Sequence, residues 1–444
     1  MAAPSDLELQ PILLQRLNDA RMRSDELFSI VRPDAIYERP IPERHRIIFY
    51  LGHLEAFDWN LLRERALDLA SFHPEFDRLF AFGIDPVGGG LPSDQPADWP
   101  SLDQVSGYVK RVRDKLDQAL PPAWSSDLIR EFSPDLLLNV AIEHRLMHVE
   151  TLAYMLHQLP LACKARRSGE KPAKRTSDPY VLATGAISIP PGIATLGIAR
   201  SDDRFGWDNE YEQHKVEVPR FAIDRYKVTN KEYLEFMQAG GYQERSLWSA
   251  DDWRWKSARG ISHPLLWIPE GPGWSYRTMF DQIPLPPDWP VYVSHAEASA
   301  YARWKGKNLP SEAQWHRAAV GTTGEKECAF PWGDTLPGAE HGNFDLRQWD
   351  PCSVASFPQG RSAFGVSDLV GNGWEWTSSV FAPFPGFKRF PFYPGYSADF
   401  FDGKHFVVKG ASARTSASMV RPSFRNWFQA HYPYVYAGFR CVEN

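Results

Sequence analysis

Long apolar runs are missing from this 444-residue chain. No stretch approaches the roughly 20 apolar residues that span a bilayer. The opening Met-Ala-Ala-Pro-Ser-Asp has neither the charged nor the apolar region of a secretory signal. A protein without a membrane partner, located in the cytoplasm, is therefore expected. Cysteine is scarce: Cys163, Cys328, Cys352 and Cys441 are scattered, with no CxxC pair, which excludes a zinc ribbon and a disulfide framework and leaves reduced thiols. Excess charge is lacking too. The 49 basic and 55 acidic side chains leave −6, and no basic tract is long enough to follow a phosphate backbone, so nucleic acid is not an expected partner.

Aromatic residues are abundant, with 17 Trp, 17 Tyr and 27 Phe beside 37 Pro and 31 Gly, mostly beyond position 180, where irregular structure is expected. The length calls for two cores. From Ser5 to Leu159 apolar residues recur three and four apart, as in Leu13-Leu14-Leu17, Ile47-Phe49-Tyr50-Leu54 and Leu136-Val140-Ile142-Leu146, which predicts a bundle of four main helices. Asp103–Leu120 supplies one amphipathic segment, and the Gly- and Pro-rich Gly83–Pro100 reads as a loop. The polar, basic run CKARRSGEKPAKRTSDP marks a connector over residues 162–179, between a first domain at 1–161 and a second at 180–444. Beyond it, Ala186–Ile189, Lys215–Val218 and Phe406–Lys409 read as short strands and Ala296–Lys305 as the clearer helix, giving an α+β chain.

His144 and His148, in NVAIEHRLMHVETLAYM, stand four apart in a breaker-free helical stretch, on one face and about 6 Å apart along the axis. Two imidazoles so placed can meet one cation, and a third ligand is then needed. His53, in IIFYLGHLEAFDWN, sits among apolar neighbours, where an imidazole is costly unless it coordinates or hydrogen-bonds. His45 lies two turns away, roughly 12 Å at helical rise, and cannot share an ion with His53. Glu150, two residues past His148, points to the far side of the helix and suits a supporting hydrogen bond. Three neutral imidazoles suit iron(II), zinc, nickel or copper.

With these histidines, the HxxxHxE of His144, His148 and Glu150, and the segments YKVTNKEYLEF, WKGKNLPSEAQWHRAA, PWGD, VGNGWEWTSS and RPSFRNW in that order, the chain resembles the iron-dependent sulfoxide synthases of ergothioneine biosynthesis. The resemblance covers nearly the whole chain. It implies a DinB-like four-helix bundle followed by a C-type-lectin-like domain of the formylglycine-generating-enzyme type, mixed α/β with little regular structure. It further implies iron(II) on His53, His144 and His148, molecular oxygen as co-substrate, and formation of a C–S bond between hercynine, the trimethylated histidine, and a cysteine-type thiol to give a sulfoxide. Asn426 and Trp427 are then expected to contact hercynine, with Phe428 adding to that wall. The quaternary ammonium cannot donate an N–H bond and calls for an aromatic face.

Family members that take γ-glutamylcysteine have Asp directly after the Asn-Trp pair and Arg four residues later. Here those positions are Phe428 and Tyr432, so free cysteine is the expected sulfur donor. The Gln often found before the second histidine of the pair is Met147. The family's proton-donating tyrosine maps to the loop after WEW, with Tyr393 the nearest candidate, Tyr396 the alternative and Phe384 a third occupant of the position. Arg425 and Arg440 are candidate cations for the cysteine carboxylate. Formylglycine generation is a competing activity, but it needs two cysteines about five apart near the C-terminus, and GASARTSASMVRPSFR has none. The same chemistry on γ-glutamylcysteine, on histidine as in ovothiol synthesis, or with a selenium donor stays open, as does a non-catalytic binding module stabilised by zinc. Oligomeric state is not legible.

Overall fold

The computed structural model describes residues 6–81, 91–124, 131–166, 185–324 and 326–443. The chain divides into two compact units, Met1–Glu170 and Lys171–Asn444. In the first, helices α1 (Asp6–Ser29), α2 (Ile47–Leu62), α4 (Leu102–Trp124) and α5 (Pro134–Gln158) form the bundle, with the short α3 (Pro74–Leu79) beside α2. Helix α5 starts where local chemistry directs it. Ser133 accepts a hydrogen bond from the Leu136 amide, Pro134 occupies the first turn, where its missing N–H costs nothing, and Asp135 faces the positive end of the helix dipole. Helix α2 lacks a side-chain cap and is held by burial: Ile47, Ile48, Phe49, Trp59 and Leu62 are fully covered. Past α5 the chain stays on the bundle, since the Ala165 amide donates to the Ile30 carbonyl and Val31 bridges Lys164. Much of the expected connector, residues 167–179, lies outside the described residues, as do 83–90 of the expected loop.

The second unit begins with β1 (Ala186–Ile189), β2 (Gly192–Leu196), β3 (His214–Val218) and β4 (Phe221–Asp224), followed by α6 (Asn230–Gln238) and α7 (Ala250–Arg259). A hairpin sheet of β5 (Trp267–Glu270), β6 (Gly273–Arg277) and β7 (Gln282–Pro284) precedes α8 (His295–Trp304) and α9 (Glu312–Val320). The chain closes with β8 (Trp374–Val380), β9 (His405–Lys409), β10 (Asn426–Gln429), β11 (Ala437–Gly438) and β12 (Val442–Glu443). The larger sheet runs β10-β9-β8-β11, and β12 returns to pair with β4. Trp315, Ala318, Ala319 and Val320 of α9 pack on Ile189, Ala194, Leu196 and Ile223 to make the main core.

Among the described residues this unit holds four α-helices, where apolar periodicity points to one. The missed helices are nine or ten residues long, too short for apolar periodicity to emerge, yet each is announced by its cap. Thr229 with Glu232 and Ser311 with Gln314 form reciprocal capping boxes, and Ser249 accepts from the Asp252 amide. The expected strands and α8 fall within a residue of where periodicity put them.

Candidate metal centre

Facing positions of α2 and α5 bring His53, His144 and His148 together. The Nε2 atom of His148 lies 3.3 Å from that of His53 and 3.2 Å from that of His144. One ligand atom from each ring falls within 4.8 Å of the others. With metal–nitrogen bonds of about 2.1 Å, neighbouring ligands of one ion are about 3.0–3.4 Å apart, which matches this spacing. All three rings are at most 5 % exposed. Burial pushes the His53 imidazole down to about 4, against a bond to the Phe80 carbonyl that favours protonation, and holds His144 and His148 well below their usual range. The rings are therefore neutral. His53 Nδ1 donates to the Phe80 carbonyl at 2.7 Å, which fixes the proton on Nδ1 and leaves the Nε2 lone pair facing the centre. Three lone pairs converging in an apolar interior are satisfied by a cation, so the residues present fit a metal ion.

Aromatic rings set the imidazole planes. Phe49 stacks on His53 at 4.9 Å and Phe57 on His144 at 3.4 Å. Gly52 permits the close approach of Phe80, since a Cβ there would lie 2.5 Å from the Phe80 ring. Beside the centre, Arg145 forms buried ion pairs with Glu55 and Asp58. His45 precedes α2, lies tilted against the Phe49 ring at 4.1 Å and stays outside the cluster, as does the buried Glu150.

In the second unit, alternation along β10 sends Trp427 and Phe428 to opposite faces. Trp427 stacks on Phe381 at 4.1 Å, with Tyr396 edge-on at 5.5 Å and Phe400 at 5.6 Å, an aromatic box. Phe428 instead stacks parallel to Tyr432 at 5.7 Å. The sequence reading placed both on one wall, and the pleat separates them. Asn426 Oδ1 accepts from the Trp427 amide at 2.9 Å, bracing the start of the strand.

Comparison with known proteins agrees with both units. Residues 16–152 match the DinB superfamily, and residues 172–444 match the sulfatase-modifying factor enzyme 1-like domain. A hercynine oxygenase of Mycolicibacterium thermoresistibile is 36 % identical, with 97 % of this chain and 94 % of that protein aligned. The chain belongs to the hercynine oxygenase family. Another member, from Mycolicibacterium smegmatis, is 34 % identical over 83 % of each chain. Ergothioneine biosynthesis protein 1 of Neurospora crassa is 27 % identical over 93 % of this chain and 55 % of its own length. Membership in this family makes the chain an oxygen-dependent oxidoreductase, built from a DinB-type bundle and a formylglycine-generating-enzyme-like domain.

Within this oxygenase, several residues singled out in the sequence have other duties. Arg425 is buried, donates to Glu312 at 2.9 Å and caps the Phe384 ring at 3.9 Å. Arg440 grips both carboxylate oxygens of Glu375 at 2.7 Å with no exposed surface. Both expected carboxylate binders are thus committed to internal ion pairs. Phe384 is part of the main core. Tyr393 is half-buried, 6.5 Å from Trp207 and 5.5 Å from Tyr396 between ring centres, and it is Tyr396 that borders Trp427. The four cysteines are free thiols. No helix among the described residues is long and apolar enough to cross a membrane.

Proposed function

We propose that this oxygenase holds iron(II) on His53, His144 and His148 and joins the sulfur of cysteine to the imidazole ring of hercynine, giving hercynylcysteine sulfoxide. The convergence of three neutral Nε2 atoms carries the reading. One C–H and one S–H bond are lost, a C–S and an S–O bond form, and the second oxygen atom leaves as water. Dioxygen thereby takes all four electrons and no outside reductant is needed. Bound iron(II) supplies the redox and Lewis-acid chemistry. The protein's part is to present three oriented lone pairs, keep the ligand rings neutral and exclude water from them.

Trp427, backed on one face by Phe381 and flanked by Tyr396 and Phe400, is the aromatic surface for a trimethylammonium group. A phenol at this box is suited to delivering a proton. Tyr393 and Tyr396 are the two candidates, and contact with Trp427 favours Tyr396 over the nearer reading from sequence. Free cysteine as donor is supported by Phe428 and Tyr432, whose stacked rings offer no charge to a γ-glutamyl carboxylate. The test is product identification by mass after incubating the iron(II) protein under air with hercynine and either cysteine or γ-glutamylcysteine. The hercynylcysteine sulfoxide is expected as the dominant product. Equal use of the dipeptide removes the donor assignment, and tightly bound zinc without oxygen uptake removes the catalytic reading.

A further inference from the structure

Arg145 follows the ligand His144 directly on α5, about 100° further round the helix. Its guanidinium reaches across to α2, donating to the Leu54 carbonyl at 3.1 Å, to Asp58 Oδ2 at 2.6 Å and to Glu55 Oε1 at 2.9 Å. Leu54 and Glu55 are the two residues after His53, so the link joins the helices within two residues of a ligand on each side. The same network takes in the other long helices. Arg145 also donates to Ser24 on α1 at 3.2 Å, and Arg113 of α4 donates to Glu55 at 2.8 Å while pairing with Asp25 of α1. Arg145, Glu55 and Asp58 are at most 1 % exposed.

A buried ion cluster is a poor route to stability, since a well-packed apolar core of equal volume is generally as stable or more so. What it supplies is geometry. Buried polar groups can select one register among those that apolar packing allows, and a planar guanidinium with several short bonds to the opposite helix has one good register. The three Nε2 atoms meet within 4.8 Å only if α2 and α5 keep that register.

We infer that Arg145, with Glu55 and Asp58, is a positioning group of the metal centre that locks α5 against α2 at the register in which His53, His144 and His148 converge. The inference rests on the metal-binding reading above. It is tested by titrating cobalt(II) into the full-length apoprotein and following visible absorption, which reports affinity and ligand geometry without turnover. Arg145→Lys keeps the charge and loses the planar fork, and its cobalt affinity is expected to fall by roughly 10- to 100-fold, as for other groups that orient ligands from behind. The triple variant Arg145→Met/Glu55→Gln/Asp58→Asn removes the buried charges together. It is expected to keep a thermal midpoint near that of the parent while binding cobalt as weakly as Arg145→Lys.

A structural role alone moves the midpoint and leaves affinity unchanged below it. Parental cobalt affinity and spectrum in both variants therefore overturn the inference, and weak binding by a thermally stable triple variant supports it. If the parent protein takes up no cobalt, or if His53→Ala takes it up normally, the metal-centre reading itself fails. That outcome is distinct from failure of the positioning role.

Discussion

In the helical unit every candidate ligand projects from a regular helix, and neighbours three or four residues apart already share a face. In the second unit the corresponding groups come from short strands and loops, each tied down by a partner far away in sequence. Arg421 pairs with Glu210, Arg425 with Glu312 and Arg440 with Glu375, all buried or nearly so. Lys409 is also buried, donating to the Pro422 and Phe424 carbonyls just before β10, and burial brings its ammonium down to about 8. The contrast teaches that one helix can align two ligands by spacing alone and needs a charged tie only to set it against its neighbour, whereas irregular backbone needs such a tie for each group.

The largest expected effect breaks the helical side of that contrast. His53→Ala, His144→Ala or His148→Ala should each remove bound iron and abolish turnover, while near-ultraviolet circular dichroism of the aromatic unit persists. Normal iron content in any one of them takes that residue out of the centre. On the other side, Trp427→Ala should raise KM for hercynine roughly tenfold, the worth of a strong cation–π contact. Phe428→Ala, on the opposite face of β10, should leave that KM unchanged. Equal effects of the two would mean that the strand does not sort them.

A third outcome concerns pH. His295 is buried, donates from Nε2 to the Thr377 carbonyl and stacks on Phe406 at 3.7 Å, and burial lowers its pKa to about 4. The folded form thus refuses a proton that the unfolded chain accepts near 6.5. Its contribution to stability is complete above 6.5 and is lost as pH falls from 6.5 towards 4, by roughly 3 kcal/mol at most. His295→Gln should flatten the decline of stability over that window in urea titrations, and an unchanged slope would place the acid sensitivity elsewhere. The smallest effect is expected from Gly52→Ala. Its new methyl group would push Phe80 away from His53, costing about 1–2 kcal/mol of stability and loosening the metal site, read as a lower thermal midpoint and weaker cobalt binding.

The His144–His148 pair was legible because i,i+4 spacing is a local property of a helix, and His53 was legible because an imidazole amid apolar residues demands a partner. The Phe80 carbonyl that orients His53 carries no side-chain signal and is brought to it by the turn after α3. Nothing in the local sequence singles out Arg145 or Glu55, yet both are buried in the bundle. The short helices of the second unit did carry signals in their capping pairs, which periodicity alone overlooks. Arg425 and Arg440 looked available because nothing in their neighbourhood in sequence reveals Glu312 and Glu375.

By itself, then, the sequence determined what depends on near neighbours: the amphipathic helices, the HxxxH face, the principal strands and the ordered motifs that mark the family. Tertiary structure decided what depends on distant partners. It chose which charges are neutralised internally, which face of β10 each aromatic ring occupies, and the register of α2 against α5. The physical reason is that hydrogen bonds and ion pairs act over a few ångströms in space, so their partners are set by the fold and not by separation along the chain.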